Sequence, residues 1–326
     1  MRWVLLFFIG LGWLTSNPGF AADDDVPDPK LLRAKIEKLI EDRKASKQKA
    51  TMGLLNEAFT LSISFGAPVY NKGDHEACYE FYVTTGRALN KAFETEDSAT
   101  PAAWDLLKTL QSALERIRKS KNADRNAWTM RYVFDKSHVS CELMDAQVMA
   151  MIQTGAQYYK LSQFEEAQDA YQSATNLLAE MEGRSWDEKD MGGRFAYVGL
   201  ANSMFAQKNF AEAADKAMAT LKAFPEWAEV KFDLRSLHRE PDEYESTMEE
   251  LLKQVQAHPN EAGLRFLLGY EYYFTGKKTA AREQLDLVEK QAPGHPGAKQ
   301  LLKFLPKPPD TRKPGGPETP KPAQDF

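Results

Sequence analysis

Arg265 to Val288 reads RFLLGYEYYFTGKKTAAREQLDLV, and within it Gly269, Tyr272, Gly276, Ala281, Leu285 and Val288 stand at offsets 0, 3, 7, 12, 16 and 19. Small and large residues alternate on a helical period. A helix carrying Leu268 and Gly269 can accept a second helix, begun after a turn at Gly276, at close range where Ala281 presents only a methyl group. The stretch therefore predicts a helical hairpin.

One hairpin cannot bury its apolar face alone, so a recurrence at fixed period is required. Sixty-eight residues back, twice 34, Ala201 takes the Gly269 position, Phe210 the start of the second helix, Ala213 the Ala281 position and Pro225 the Pro293 position. A further 46 residues back, 34 plus 12, come Gly155, Tyr158, Phe164, Ala167, Tyr171 and Ala174. Between Pro225 and Pro293, Trp227–Pro259 fills one more period, with Pro259 lying 34 residues from each. Thr247 and Gln254 stand there in place of small residues, which marks a degenerate unit.

This pattern resembles the tetratricopeptide repeat, a 34-residue helix-turn-helix unit with a small residue and an aromatic in its first helix and small residues in its second. The resemblance implies an all-α fold, a superhelical α-solenoid over residues 140–305. In such arrays the first helices line an inner, concave side. Carried over residue by residue, that side falls at Ile152, Ala156 and Tyr159, at Val198, Asn202 and Phe205, and at Phe266, Tyr270 and Tyr273, with Phe274 adjacent. The candidate partner-binding groove is thus Tyr159, Asn202, Phe205, Phe266, Tyr270, Tyr273 and Phe274. Only Asn202 and Lys160 suit a clamp for a partner's terminal carboxylate. Aromatic faces suit extended, proline-rich or apolar segments instead. The competing reading is internal: the rings pack on neighbouring helices, or the groove is filled by the chain's own Pro29–Lys49 helix or its proline-rich tail.

The rest of the chain frames this array. Arg2, the apolar run Trp3–Trp13 and the small residues Gly19 and Ala21 read as a signal peptide over 1–21, cut before Ala22 and implying export. Retention of that segment as a membrane anchor is the alternative. Residues 22–28 form an acidic leader expected to be disordered. Residues 29–139 make a helical N-terminal region. In it, Pro29–Lys49 is an amphipathic helix with Leu31, Leu32, Ile36, Leu39 and Ile40 on one face. It suits docking on the protein or lying on a membrane surface, although Glu37, Glu41 and Asp42 interrupt its positive face. Over about 52–93, Gly66, Gly73, His75, Cys78, Tyr82 and Thr85 repeat the offsets 0, 7, 9, 12, 16 and 19, predicting a divergent hairpin with Cys78 at the small-residue position. Pro68 is expected to kink its first helix or end it early. Pro101–Lys119 and Asn122–Val139 read as further helices, the latter short. Glu182–Arg194 reads as an extended loop inserted between repeats. From 306 to 326 the proline- and lysine-rich tail is expected to be disordered with polyproline character.

Composition narrows the function. The chain has 326 residues, 43% hydrophobic and 27% charged, with a net charge of −5 and no basic stripe, so nucleic acid is not an expected partner. No later segment approaches membrane-spanning length. None of the nucleophile-elbow, phosphate-loop, dinucleotide or zinc-protease motifs occurs. His75 and Cys78 share a helix face but lack further ligands, so no metal or cofactor is expected. In an oxidising compartment Cys78 and Cys141 are either buried thiols or one disulfide. No catalytic constellation emerges, and the expectation is a non-enzymatic protein- or peptide-binding scaffold of the periplasm or cell envelope. Two alternatives stand beside it: a structural protein self-associating through its repeats, and an accessory domain with chemistry in residues 50–139.

Overall fold

In a computed structural model the protein is described over residues 28–182 and 192–306. The expected signal peptide and leader (to residue 27), most of the inserted loop and the tail from 307 lie outside these residues. The fold is all-α, with no strand among the described residues and a single isolated bridge between Ala50 and Ala99. No described helix is long and apolar enough to cross a membrane. Two compact units divide after Ser137.

The first unit contains α1 (Pro29–Ala45), α2 (Met52–Asn71), α3 (His75–Ala92), α4 (Pro101–Ile117) and the start of α5 (Ala123–Lys160). Helix α1 docks on α2 and α3 through Leu32, Ile36 and Ile40, all buried. Helix α2 ends one turn past Pro68, whose carbonyl accepts from the Lys72 amide. Phe134 of α5 stacks on Phe59 with ring centroids 4.3 Å apart, closing the core under the α2–α3 hairpin.

The second unit takes the rest of α5, then α6 (Phe164–Glu180), α7 (Gly192–Ala206), α8 (Phe210–Ala223), α9 (Pro241–Ala257), α10 (Ala262–Phe274), α11 (Lys278–Gln291) and α12 (Pro296–Leu302). The short helix expected over Asn122–Val139 is instead the beginning of a 38-residue helix. From Ala123 to Thr154 the chain holds neither glycine nor proline, so nothing interrupts it. The degenerate period departs further. Its first half holds no α-helix: the 3-10 turns Pro225–Glu229 and Leu234–Leu237 flank an irregular run, residues 230–233. The Asp233 side chain accepts from the Arg235 amide, a local bond that competes with helix formation, and Pro241 holds Glu240 extended at φ −116° and ψ 132°.

Four hairpins share one geometry. Their second helices begin at His75, Phe164, Phe210 and Lys278, each nine residues after the small residue Gly66, Gly155, Ala201 or Gly269. At offset 12 Cys78, Ala167, Ala213 and Ala281 are all fully buried. At offset 7 the backbone is left-handed in every case: φ is 91° at Gly73, 57° at Ser162, 65° at Lys208 and 80° at Gly276. In each turn the amide at offset 7 donates to the carbonyl at offset 4, and the amide at offset 8 to that at offset 3. These bonds satisfy the last carbonyls of the first helix.

The small residue makes room for offset 16. A Cβ on Gly66 would stand 2.4 Å from Tyr82, on Gly155 2.9 Å from Tyr171, and on Gly269 2.8 Å from Leu285. Where the first helix carries Ala201, the facing residue shrinks to Ala217.

Two measurements test this geometry. Lys208→Gly removes a left-handed non-glycine residue, which costs roughly 1–2 kcal/mol of strain, so urea unfolding should show a stability gain of about 1 kcal/mol. Gly269→Ala is expected to cost about 1–3 kcal/mol through overpacking. Combined with Leu285→Ala, its cost should fall at least ~1 kcal/mol short of additivity; strict additivity would show that the two residues do not share the contact.

Candidate functional site

Of the seven groove residues expected from the sequence, five lie in the interior of the second unit. Tyr159, Asn202, Phe205, Phe266 and Tyr270 are each at most 3% exposed. Phe266 lies under α12, with the His295 ring 4.8 Å away and Gly297 so close that a Cβ would meet the phenyl ring at 2.5 Å. Phe205 packs between Phe210 and Tyr244. The hydroxyl of Tyr270 accepts from Trp227 Nε1 at 3.2 Å. Asn202 turns inward and donates through Nδ2 to the Val198 carbonyl at 2.8 Å. These positions do not form an open aromatic groove. The irregular segment that replaces a first helix sends Trp227 and His238 onto Tyr270 and Tyr159.

That infill creates a buried polar cluster. Tyr159 Oη lies 2.8 Å from His238 Nε2, and the His238 ring also packs on the edges of Tyr159 and Tyr244. Tyr244 donates to Glu271 Oε2 at 3.0 Å. Glu271 is almost wholly buried, and desolvation raises its carboxyl to about 8, against which the Tyr244 bond is a smaller, opposing influence. Burial lowers the His238 imidazole to about 4. At neutral pH both side chains are uncharged, and the cluster ties α5, α9 and α10 together without an ion pair.

Tyr273 and Phe274, the remaining two of the seven, are buried to the same degree, at 4% and 3% exposed, and lie in the wall of an open cleft of about 720 Å³. Its other wall is the irregular segment from Ala228 to Asp233, with Arg235, Thr275, Gly276, Lys278 and Phe304 completing it. Trp227 and Leu234, both fully buried, pin the two ends of this segment. Trp227 stacks on Phe274 at 5.4 Å, and the Tyr273 hydroxyl donates to the Ala228 carbonyl at 2.5 Å. Between these anchors the amides of Lys231, Phe232 and Asp233 make no hydrogen bond among the described residues. Backbone donors left open in this way normally find water or a ligand.

The charges around the cleft are arranged by its own wall. Lys278 Nζ sits 3.3 Å from the centroid of the Tyr273 ring and donates to the Tyr273 carbonyl at 3.0 Å; partial burial lowers its pKa. Asp233 and Arg235 form a fork-like pair, closest at 2.7 Å, and hydrogen bonding to Arg235 holds the Asp233 carboxyl below its usual value. Lys231 is exposed and carries no such partner among the described residues. The arrangement offers backbone N–H groups, aromatic rings and one uncommitted cation, and so suits an extended chain rich in carbonyl acceptors. Sequence reasoning missed Lys231 and Phe232 because it read Trp227–Pro259 as one degenerate repeat, from Thr247 and Gln254, and looked for site residues only in the repeats it took as regular.

In the first unit, Tyr70, Trp128, Cys78, Tyr82 and Arg131 line a pocket of about 120 Å³. Trp128 Nε1 donates to Tyr70 Oη at 2.8 Å, and Tyr70 Oη donates to Asp124 at 2.6 Å. His75 stacks on Tyr70 at 4.4 Å. Burial pushes the Cys78 thiol up, so it stays protonated, a poor nucleophile and a poor metal ligand. Cys141 is also buried. No group of three metal-binding side chains occurs among the described residues. Set against protein-family models and against curated proteins, the chain matches none.

The buried cluster makes a pH prediction. Between about 4.5 and 8 the folded chain holds a proton on Glu271 that the unfolded chain has lost, so this group lowers stability as pH rises through that window. Between about 4 and 6.5 the unfolded chain holds a proton on His238 that the folded chain lacks, so His238 raises stability with pH there. The two oppose each other below 6.5, leaving a net fall from about 6.5 to 8 with a limiting slope of ~1.4 kcal/mol per pH unit. Urea unfolding of Glu271→Gln should show that fall abolished. An unchanged slope would mean that Glu271 ionises normally in the fold.

Proposed function

We propose that the second unit is a non-enzymatic interaction module whose cleft receives an extended, proline-containing segment of a partner protein. The observation that carries this reading is the run Lys231–Asp233, whose amides are open where a repeat helix would have satisfied them. A polyproline-type segment presents carbonyl acceptors with few donors of its own, and it stacks on aromatic rings at low entropy cost. The half-buried Phe232 ring and the open amides meet both needs, with Tyr273 and Phe274 forming the floor of the cleft behind them. The tetratricopeptide-like hairpins support the module's role as a superhelical scaffold, and the apolar leader over 1–21 supports its placement in the periplasm or cell envelope.

The test is fluorescence anisotropy with a labelled proline decapeptide and a matched alanine decapeptide. The proline peptide should bind the full chain in preference to the alanine peptide, and Phe232→Ala should weaken it at least about tenfold, or ~1.4 kcal/mol. Equal binding of both peptides, or indifference to Phe232→Ala with the fold intact by circular dichroism, would remove the cleft from consideration.

A further inference from the structure

The cleft lies at the point where the described chain ends. Phe304 forms part of its wall and Leu305 is buried. Arg282 of α11 fixes this exit by donating through Nη2 to the carbonyls of Leu302 at 3.2 Å and Leu305 at 2.8 Å. Pro306 follows, and 20 more residues, 307–326, continue from there. They begin Lys-Pro-Pro-Asp-Thr-Arg-Lys-Pro. At about 3.1 Å per residue in a polyproline helix, residues 307–314 have a reach of about 25 Å from this exit.

We propose that the chain's own carboxy-terminal segment, residues 308–314, occupies this cleft and that an external segment must displace it. The proposal rests on the reading of the cleft as a receptor for extended proline-containing chain and names its resident occupant. Three features of the segment match the site. Pro308, Pro309 and Pro314 lack N–H groups, so their neighbourhood offers mainly acceptors, which the open amides of Lys231 and Phe232 can satisfy. The proline rings suit the half-buried Phe232 ring in the cleft wall. Asp310 supplies an anion for the exposed Lys231, and Arg312 and Lys313 supply cations for Glu229. Because the segment is tethered only a few residues away, its effective concentration is of millimolar order, enough for a weak contact to be mostly closed. The module would then be self-occluded, with a partner selected by its ability to outcompete a fixed internal ligand.

Hydrogen exchange read by mass spectrometry over residues 228–235 tests this on the full chain. The comparison is a full-length variant carrying Pro308→Gly, Pro309→Gly and Pro314→Gly, with a synthetic peptide of residues 307–322 added in a second arm. The unsubstituted chain should exchange these amides at least tenfold more slowly than the variant, and the peptide should restore protection to the variant. Phe232→Ala in the unsubstituted chain should likewise speed exchange. Equal exchange in the two proteins overturns the tail as occupant. If the peptide still protects the variant in that case, the cleft survives as a receptor; if it does not, the receptor reading falls as well. Protection that grows with protein concentration would mean that the tail docks between chains, and would overturn the intramolecular contact.

Discussion

The packing of this protein depends on how close two helices of a hairpin can come. In three of the four hairpins a glycine on the first helix leaves the space that a tyrosine or leucine on the second fills, and in the fourth an alanine faces an alanine. The trade is steric: a Cβ at any of those glycines would overlap its partner's side chain, so residue size must be conserved across the pair and not at each position. Tyr171 shows the reach of the constraint, since it lies against Gly155 of its own hairpin and against Gly199 of the next. One side chain thereby sets the spacing of two successive units.

Those pairs made the hairpins legible before any coordinates. Offsets 0, 12 and 16 are spacings of residue size, and size is written in the sequence. The turn geometry was only half legible, because Gly73 and Gly276 announce a left-handed residue while Ser162 and Lys208 adopt the same conformation without glycine. There the helix-ending hydrogen bonds outweigh the local strain. Helix α5 hid for a different reason: its middle shows no change of period at which to divide it. The groove residues were identified by position within a repeat, yet their exposure depends on what the neighbouring period does. When that period abandons its first helix, Trp227 and His238 turn inward, and most of the expected surface becomes core.

The same departure turns a defect in the repeat into a candidate site. An irregular segment cannot satisfy its own amides, so replacing a helix with residues 230–233 leaves donors beside aromatic walls. The cost is met nearby: Trp227 and Leu234 bury completely at either end, and the cluster of Tyr159, His238, Tyr244 and Glu271 joins the adjoining helices by neutral hydrogen bonds. Stability and openness are thus divided between adjacent stretches of one period, with the anchors carrying packing and the span between them leaving its donors open.

Trp227 also gives the second unit an optical property. It is the only tryptophan among that unit's described residues, its indole is sealed from solvent, and it stacks directly on Phe274, whose other surroundings include the cleft. Its emission therefore registers the wetting or drying of the cleft wall from one ring away. Trp227 thus sets an intrinsic probe beside the cleft wall, its emission read against that of the chain's other tryptophans, Trp104, Trp128 and Trp186 among them.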